Sequence, residues 1–562
     1  LSCREMPRMV IEDSSRLRLG VAIRAAFRRG YTAADLRADA VAGLVVGVVA
    51  LPLSMALAIA AGAPPEHGLY TAIVAGMVIA LTGGSMHSVS GPTAAFVVLL
   101  VPVTARHGVQ GLMVASALAG VIMLLMGVSG LGRLIQFIPH PVTTGFTAGI
   151  AVVIAILQLG DLFGLGSLHG ERIWERLADL GERFGQVSAV DLGIGLLTLA
   201  VLIVWPRITH RIPGPLVGLT VATIVGLLLA GAGHAPVTIE TLFGGIPRRV
   251  PMPTFPWAGS GMGWDEVISL LPTAAAIALL GAIESLLCAV VADGMTGGRH
   301  DSDAELVGLG LGNIVAPFFG GFAATGAIAR TATAIRAGAR SPFAVVVHSV
   351  FLLVAMLVLA PVLGHIPMAG MAALLLVVAW NMSDLPHFKR IARIAPRSDV
   401  VVMFVCFALT VLFDMVVAVI TGVVLAAFLF MRRMVEISGA QLVGGPEGHT
   451  IGGLPPGVVF YDVAGPLFFG AAEKALGALT VVGEGVHTVI VDLEDVPAMD
   501  ATGLVALESI VERINRNGAK VVLTGIQPQP RRAVERAGFH DEPGKLELTD
   551  DLDTTLRSIL RG

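Results

Sequence analysis

The chain has 562 residues; 55% are apolar, only 14% are charged, and the formal net charge is −4. Soluble domains carry about a quarter charged residues, so an ordinary soluble enzyme is disfavoured. The high hydrophobicity, aperiodic glycine and three cysteines exclude disorder, collagen and a disulfide scaffold.

The charge is split along the chain. Residues 1–433 hold 27 basic and 23 acidic residues, whereas residues 434–562 hold 10 and 18. Residues 1–38 are Arg-rich without an apolar core, so they read as a cytoplasmic N-terminal segment with no cleavable leader. Residues 39–433 read as repeated apolar stretches. Crossing the hydrocarbon takes about 20 apolar residues as helix, and no other open structure satisfies its backbone there. Helices are predicted near 39–61, 68–82, 92–105, 109–130, 141–160, 189–205, 215–232, 266–292, 305–320, 325–337, 342–362, 368–382, 399–413 and 415–431. The fold class is therefore an all-α polytopic membrane domain of 14 segments. With the N-terminus in the cytoplasm, Lys and Arg number 20 on the inner side against 6 outside. The positive-inside rule favours that orientation, and an even number of spans returns the C-terminus to the cytoplasm.

Residues 434–454 read as a linker. From 455 to 562 strand and helix signals alternate: strands at Val458–Val463, Thr488–Leu493 and Ala519–Thr524, and helices at Ala471–Val482, Gly503–Asn517, 529–537 and 550–560. That is a small cytoplasmic α/β domain. Within it, Asp500 and Thr502 would cap the helix that follows. Thr502 is also a candidate for regulatory phosphorylation at a positive helix end.

Two of the predicted spans are short. The runs after Gly91-Pro92 and from Thr325 to Ala337 each offer about 14 residues, against about 20 for a crossing. They are the third and tenth segments, matching positions if the domain is two inverted halves of seven. Paired interrupted segments point to a transporter binding site. Pro92 suits a first helical position, and each half-helix would aim free N–H groups at mid-membrane, equivalent to about half a positive charge. Arg330 lies near the start of segment ten, where a buried cation costs about 2.5–3.5 kcal/mol and needs an anionic partner. Two helix ends and one guanidinium give a site of about +2, suited to an anion. Glu284 is the one carboxylate placed well inside a span. It either pairs structurally with Arg330 or carries a proton. Ionised, it sets the site near +1; protonated, near +2, which matches a dianion.

Other polar positions read as structural. His348 is expected to be a hydrogen-bonded packing residue, Glu66-His67 a solvated outer turn, and Asp293 a cap or loop contact. Gly308-Leu309-Gly310-Leu311-Gly312 resembles a phosphate loop but lacks a preceding strand, so close helix packing is the better account. No Walker sequence, His/Cys metal cluster or nucleophile triad is found. An enzyme or an ATP-driven pump is disfavoured, with no cofactor, metal or nucleic acid expected.

Several stretches together resemble the sulfate permease (SulP) family of anion transporters with a C-terminal STAS domain. They include Gly68-Leu69-Tyr70, Ser90-Gly91-Pro92, Ile283-Glu284-Ser285, Gly312-Asn313-Ile314, Ala329-Arg330-Thr331 and Met499-Asp500-Ala501-Thr502-Gly503. The resemblance implies a 7+7 inverted repeat with core and gate domains, an elevator-like movement and a homodimer in a bacterial inner membrane. It also implies a substrate cradle carried by Leu53, Ser54, Leu57, Thr93, Ala94, Ala327, Ile328, Ala329 and Arg330. Sodium-coupled bicarbonate members have Asp and Thr where this chain has Glu284 and Cys288. A thiol is a poor ligand for a hard cation, which favours protons as the coupling ion. The runs from Glu284 to Val291, Ala327 to Arg330 and Trp380 to Ser383 look similar to the C4-dicarboxylate uptake branch. The expected function is proton-coupled uptake of succinate, fumarate or aspartate. Bicarbonate or sulfate transport is the first alternative. A membrane-anchored signalling protein acting through a protein partner of the STAS domain, with vestigial transport, is the second.

Overall fold

A computed structural model describes residues 19–133, 139–170, 172–209, 212–256, 263–413, 415–437, 439–444, 454–468, 472, 475–476 and 485–561. The chain separates into two compact units, Leu1–Val423 and Val424–Gly562.

The first unit is helical. It runs α1 (Val21–Arg28), α2 (Ala33–Ala60), α3 (Pro65–Thr82), β1 (Ser90–Gly91), α4 (Ala94–Val128), α5 (His140–Leu162), α6 (Ile173–Arg183), α7 (Ala189–Ile208) and α8 (Gly214–Gly231). Short helices α9 (Ile239–Phe243) and α10 (Trp264–Ser269) lead to α11 (Leu271–Thr296), α12 (Ser302–Phe318), β2 (Thr325–Gly326) and α13 (Ile328–Arg336). Then come α14 (Phe343–Gly364), α15 (Met368–Ser383), α16 (Leu385–Ile394), α17 (Arg397–Leu412) and α18 (Met415–Ile437), which reaches into the second unit. Among the described residues, nine helices are long and apolar enough to cross a membrane. Each predicted apolar stretch falls on a helix or a helix arm. The stretches 92–105 and 109–130 are the two arms of α4, divided at Gly108, whose φ of 64° interrupts the helix.

Two groups of helices pack within this unit. Helices α2, α3, α4, α11, α12, α13 and α14 contact one another extensively, and so do α5, α7, α8, α15 and α17. Contacts between the groups are sparse, as expected of a core and a gate. Small residues bring core helices into backbone contact. A Cβ on Gly310 would stand 2.6 Å from the Leu124 nitrogen and 2.8 Å from the Gly120 oxygen, so α12 and α4 approach as closely as glycine permits. The Gly308–Gly312 run is thus a packing seam.

A buried carboxylate also lies in the first turn of α12. Glu305 in α12 is 1% exposed and accepts hydrogen bonds from the Gly84 and Ser85 amides at 3.0 and 2.9 Å. It thereby ties the turn after α3 to α12, a role its sequence neighbours do not announce. The Glu66-His67 turn is also anchored: His67 Nδ1 lies 2.6 Å from the Gly320 carbonyl and its ring meets Tyr70 edge-on. Asp293 makes the expected loop contact, accepting from the His300 amide at 2.9 Å.

In the second unit a five-stranded sheet runs β3 (Gly439–Gly444), β4 (Val458–Ala464), β5 (Thr488–Asp492), β6 (Lys520–Thr524) and β7 (Leu546–Leu548), in that spatial order. β3 pairs antiparallel with β4, and the remaining pairs are parallel. The helices are α19 (Ala501–Arg516), α20 (Pro528–Arg536) and α21 (Leu552–Arg561). Strand side chains alternate between faces. Val459, Tyr461, Val489, Val491, Val521 and Leu523 pack under Leu507, Ile510 and Ile514 of α19. Val458, Phe460, Ile490 and Val522 pack against Leu552, Leu556 and Ile559 of α21. The stretch expected to be a linker is therefore structured at its start: α18 continues to Ile437, and Gly439–Gly444 becomes an edge strand because β4 offers it a partner. The predicted helix Ala471–Val482 lies largely outside the described residues.

Candidate anion-binding cavity

The two short segments meet through a two-residue antiparallel ladder, Ser90 opposite Gly326 and Gly91 opposite Thr325. The ladder is extended by Ala327 N–H donating to Val89 O at 2.9 Å and Val89 N–H donating to Thr331 Oγ1 at 2.9 Å. Thr325 Oγ1 adds a bond to Gly281 O at 2.9 Å, fastening the crossing to α11. From this ladder the first arm of α4 and the nine-residue α13 depart, and Ala94, Ala95, Ile328 and Ala329 from their first turns lie on one cavity wall. Pro92 is not a first helical residue. β1 ends at Gly91, Thr93 is extended at φ −125°, and α4 starts at Ala94. The Pro92 carbonyl instead accepts from Arg330 Nη2.

Neither helix start has a side-chain cap. Thr93 occupies the N-cap position, where its hydroxyl would ordinarily accept from a first-turn amide. It donates instead to Glu284 Oε2 at 3.2 Å. The first-turn amides thus keep their partial positive charge for a ligand. Ala327, the cap position of α13, has no polar side chain to offer.

Arg330 is 2% exposed and lines the same cavity. Its Nε and Nη1 are buried with no hydrogen-bond partner, so Glu284 does not neutralise it through a direct pair. Gly91 makes room for the guanidinium, since a Cβ there would stand 2.6 Å from Nη1. Beside it Cys288 Sγ lies 3.1 Å from Thr331 Oγ1, a contact that holds α11 to α13.

The cavity has a volume of about 560 Å³. Leu53, Leu57, Thr93, Ala94, Glu284, Ala327, Ile328, Ala329 and Arg330 all border it. Ser54 does not: it is fully buried and its Oγ has no partner, because α2 turns that side chain toward the helix interface rather than the cavity. The far wall comes from α5, α15 and α16, with Thr143, Thr147, Asn381 and His387 among its polar residues. Sequence reasoning passed over these, since each is an ordinary polar residue near a helix end. His348 is fully buried, and neither ring nitrogen has the hydrogen bond expected of it. Among the described residues, no cluster of His, Cys, Asp and Glu suited to a metal is present.

Two short helices starting from one ladder, a buried arginine with no ion pair to Glu284 and a cavity between two helical groups are the features of a membrane carrier of the half-helix type. The chain belongs to the sulfate permease family, whose description matches residues 36–406; residues 454–554 match the STAS domain. It is 40% identical over 529 residues to "Putative sulfate transporter YvdB" of Bacillus subtilis, covering 93% of this chain and 98% of that one. It is 30% identical to the bicarbonate transporter BicA of a Picosynechococcus species, covering 89% and 91%. The solved transmembrane domain of a cyanobacterial BicA is 28% identical and superposes with a TM-score of 0.62 over 70% of this chain and 97% of that one. Murine Solute Carrier 26 family member A9, in its inward-facing state, shares the fold at a TM-score of 0.83 and 19% identity, covering 97% and 94%. The protein is thus a multi-pass anion transporter with a C-terminal STAS domain, and its relatives are transporters rather than enzymes.

Proposed function

We propose that this transporter takes up C4-dicarboxylates with protons, by an elevator-like movement of the core against the gate, in a bacterial inner membrane with both termini cytoplasmic. The reading rests on Arg330: a buried guanidinium with two unpartnered nitrogens, in a residue of a cavity wall flanked by two uncapped helix starts. A charge placed so is costly unless an anion shares the site. Leu53, Leu57, Thr93, Ala94 and Ala327–Ala329 shape the cradle, Arg330 supplies its charge, and Ser54 supports α2 behind the wall.

Glu284 faces the same cavity and takes the Thr93 hydroxyl. Ionised, it offsets about half of the site's charge; protonated, it leaves about +2 for a doubly charged substrate. Substrate and proton would then load together. The cavity's volume lies in the range of sites for small organic ligands, about 300–1,000 Å³, and exceeds what a compact oxyanion fills. The second reading, bicarbonate or sulfate transport, is favoured by the names of the relatives. STAS domains paired between two copies of the chain, or engaged by a cytoplasmic protein, would regulate the carrier. Thr502, exposed beside the Asp500 cap of α19, is the candidate phosphorylation site.

The test is uptake of labelled succinate, bicarbonate and sulfate by proteoliposomes, with and without an inward proton gradient. Succinate accumulation that the gradient stimulates, and that loses this response in Glu284→Gln while binding persists, is the expected result. Gradient-insensitive transport, or uptake of bicarbonate or sulfate alone, would replace this reading with the second.

A further inference from the structure

The cavity has a second polar end, remote in sequence from the Arg330 cradle. His140 opens α5 and His387 lies in α16; both rings border the cavity and meet edge to face, with centroids 5.2 Å apart at 64°. Thr144 Oγ1 holds His140 Nδ1 at 3.0 Å, which orients the ring and leaves Nε2 for other contacts. Asn381 and Asp384 adjoin them on the wall. Asp384 stands where α15 ends and α16 begins, and among the described residues it is the one non-glycine with a positive φ, 37°. The junction that carries His387 is therefore held in a strained backbone conformation, a feature that clusters at functional sites.

Two imidazoles in contact are a poor arrangement if both become charged with nothing between or beside them. An anion resolves that repulsion. The charged groups on the cavity wall with the pair are Asp384 from the α15–α16 junction, and Glu284 and Arg330 from the core. α16 itself carries Lys389, Arg390 and Arg393, and among the described residues neither α4 nor α17 adds a charged side chain to this wall.

We infer that His140 and His387 form a second anion station on the gate side of the cavity. It takes one carboxylate or oxyanion group of the transported anion between the Arg330 cradle and the water at the α16 end. This inference rests on the carrier reading above, and in the orientation proposed there the station faces the cytoplasm. Protonation makes the pair cationic and a bound anion stabilises that form, so the station binds more tightly as the cytoplasmic side acidifies. Its effect on pH dependence adds to that of Glu284 and is separable from it.

Binding of labelled succinate, sulfate and bicarbonate to the full chain in nanodiscs, at about pH 6 and about pH 8, tests this. The measurement is made in the Glu284→Gln background, which removes the core carboxylate that titrates on the same wall. The bound anion should be held about fivefold more tightly at the lower pH, as for a partly solvated ion pair. Adding His140→Gln and His387→Gln should abolish that difference, and adding His387→Lys should give the tighter binding at both pH values. An unchanged pH difference in the double His variant, or no gain in affinity with His387→Lys, overturns the second station while leaving the cradle in place. If the chain binds none of the three anions even with Glu284 intact, the carrier reading falls and the station with it.

Discussion

Arg330 concentrates the electrostatics of the membrane unit in one side chain. It donates through Nη2 to Pro92, while Nε and Nη1 are buried without a partner; the proposed function assigns these two nitrogens to the anion. Each charge-assisted hydrogen bond is worth about 1.5 kcal/mol or more, so Arg330→Gln should weaken anion binding by at least about 100-fold. Equilibrium binding in detergent checks this, and retained affinity would show that the helix ends suffice. Arg330→Lys should recover only part of the loss, because an ammonium cannot donate to Pro92 and the ligand in the same fork geometry. Thr93 illustrates how a residue's ordinary role can be diverted. It stands at the N-cap position, yet its hydroxyl turns to Glu284 and leaves the helix start without a side-chain cap.

Elements were legible from sequence to the degree that their signals are local. Hydropathy finds the helices, and the mid-membrane position of Arg330 with the two short segments points to the wall where the cradle is proposed. The β1–β2 ladder is beyond such reading, because it joins residues more than 230 apart through strands of two residues each. The same holds for β3, which needs β4 as a partner, and for Glu305, whose ligands lie across the α3–α12 interface. Ser54, which the resemblance implies for the cradle, is absent from the cavity wall, since likeness of sequence along an apolar helix does not fix which side chains reach the cavity. Helix packing carries its own prediction. Gly310→Val forces side-chain atoms against α4 backbone at 2.6–2.9 Å, and overpacking of this kind costs about 1–3 kcal/mol. Loss of a monodisperse peak in detergent, or a lowered melting temperature, is the expected outcome. In the α/β unit, burial pushes the Asp492 carboxyl above its ordinary range, with Asp462, Glu494 and Asp495 adding like charge. At neutral pH the ionised carboxylate therefore costs stability, a cost that disappears below about pH 4, where the group is protonated in the folded and unfolded chain alike. Asp492→Asn should raise hydrogen-exchange protection of β5 in the full chain at pH near 7, and the gain should fade as pH falls. A gain that persisted in acid would contradict this account.

For the whole molecule, the proposed function rests on the gap between two internally cohesive helical groups. The core carries the cradle residues and the gate carries the polar residues opposite, so sliding one group past the other would move the cradle without dismantling it. The overall class was readable from composition and the two short segments. The gate wall was not, since His140, Thr143, Asn381 and His387 gain meaning only when α5, α15 and α16 converge. The most direct measurement of the central claim is the position of a bound anion, from cryo-electron microscopy of the full chain in saturating succinate. Density within hydrogen-bond reach of Arg330 Nη1 or Nε and of the first-turn amides of α4 and α13 is the predicted result. An anion bound elsewhere, with the Arg330 guanidinium engaged solely by protein, would contradict it.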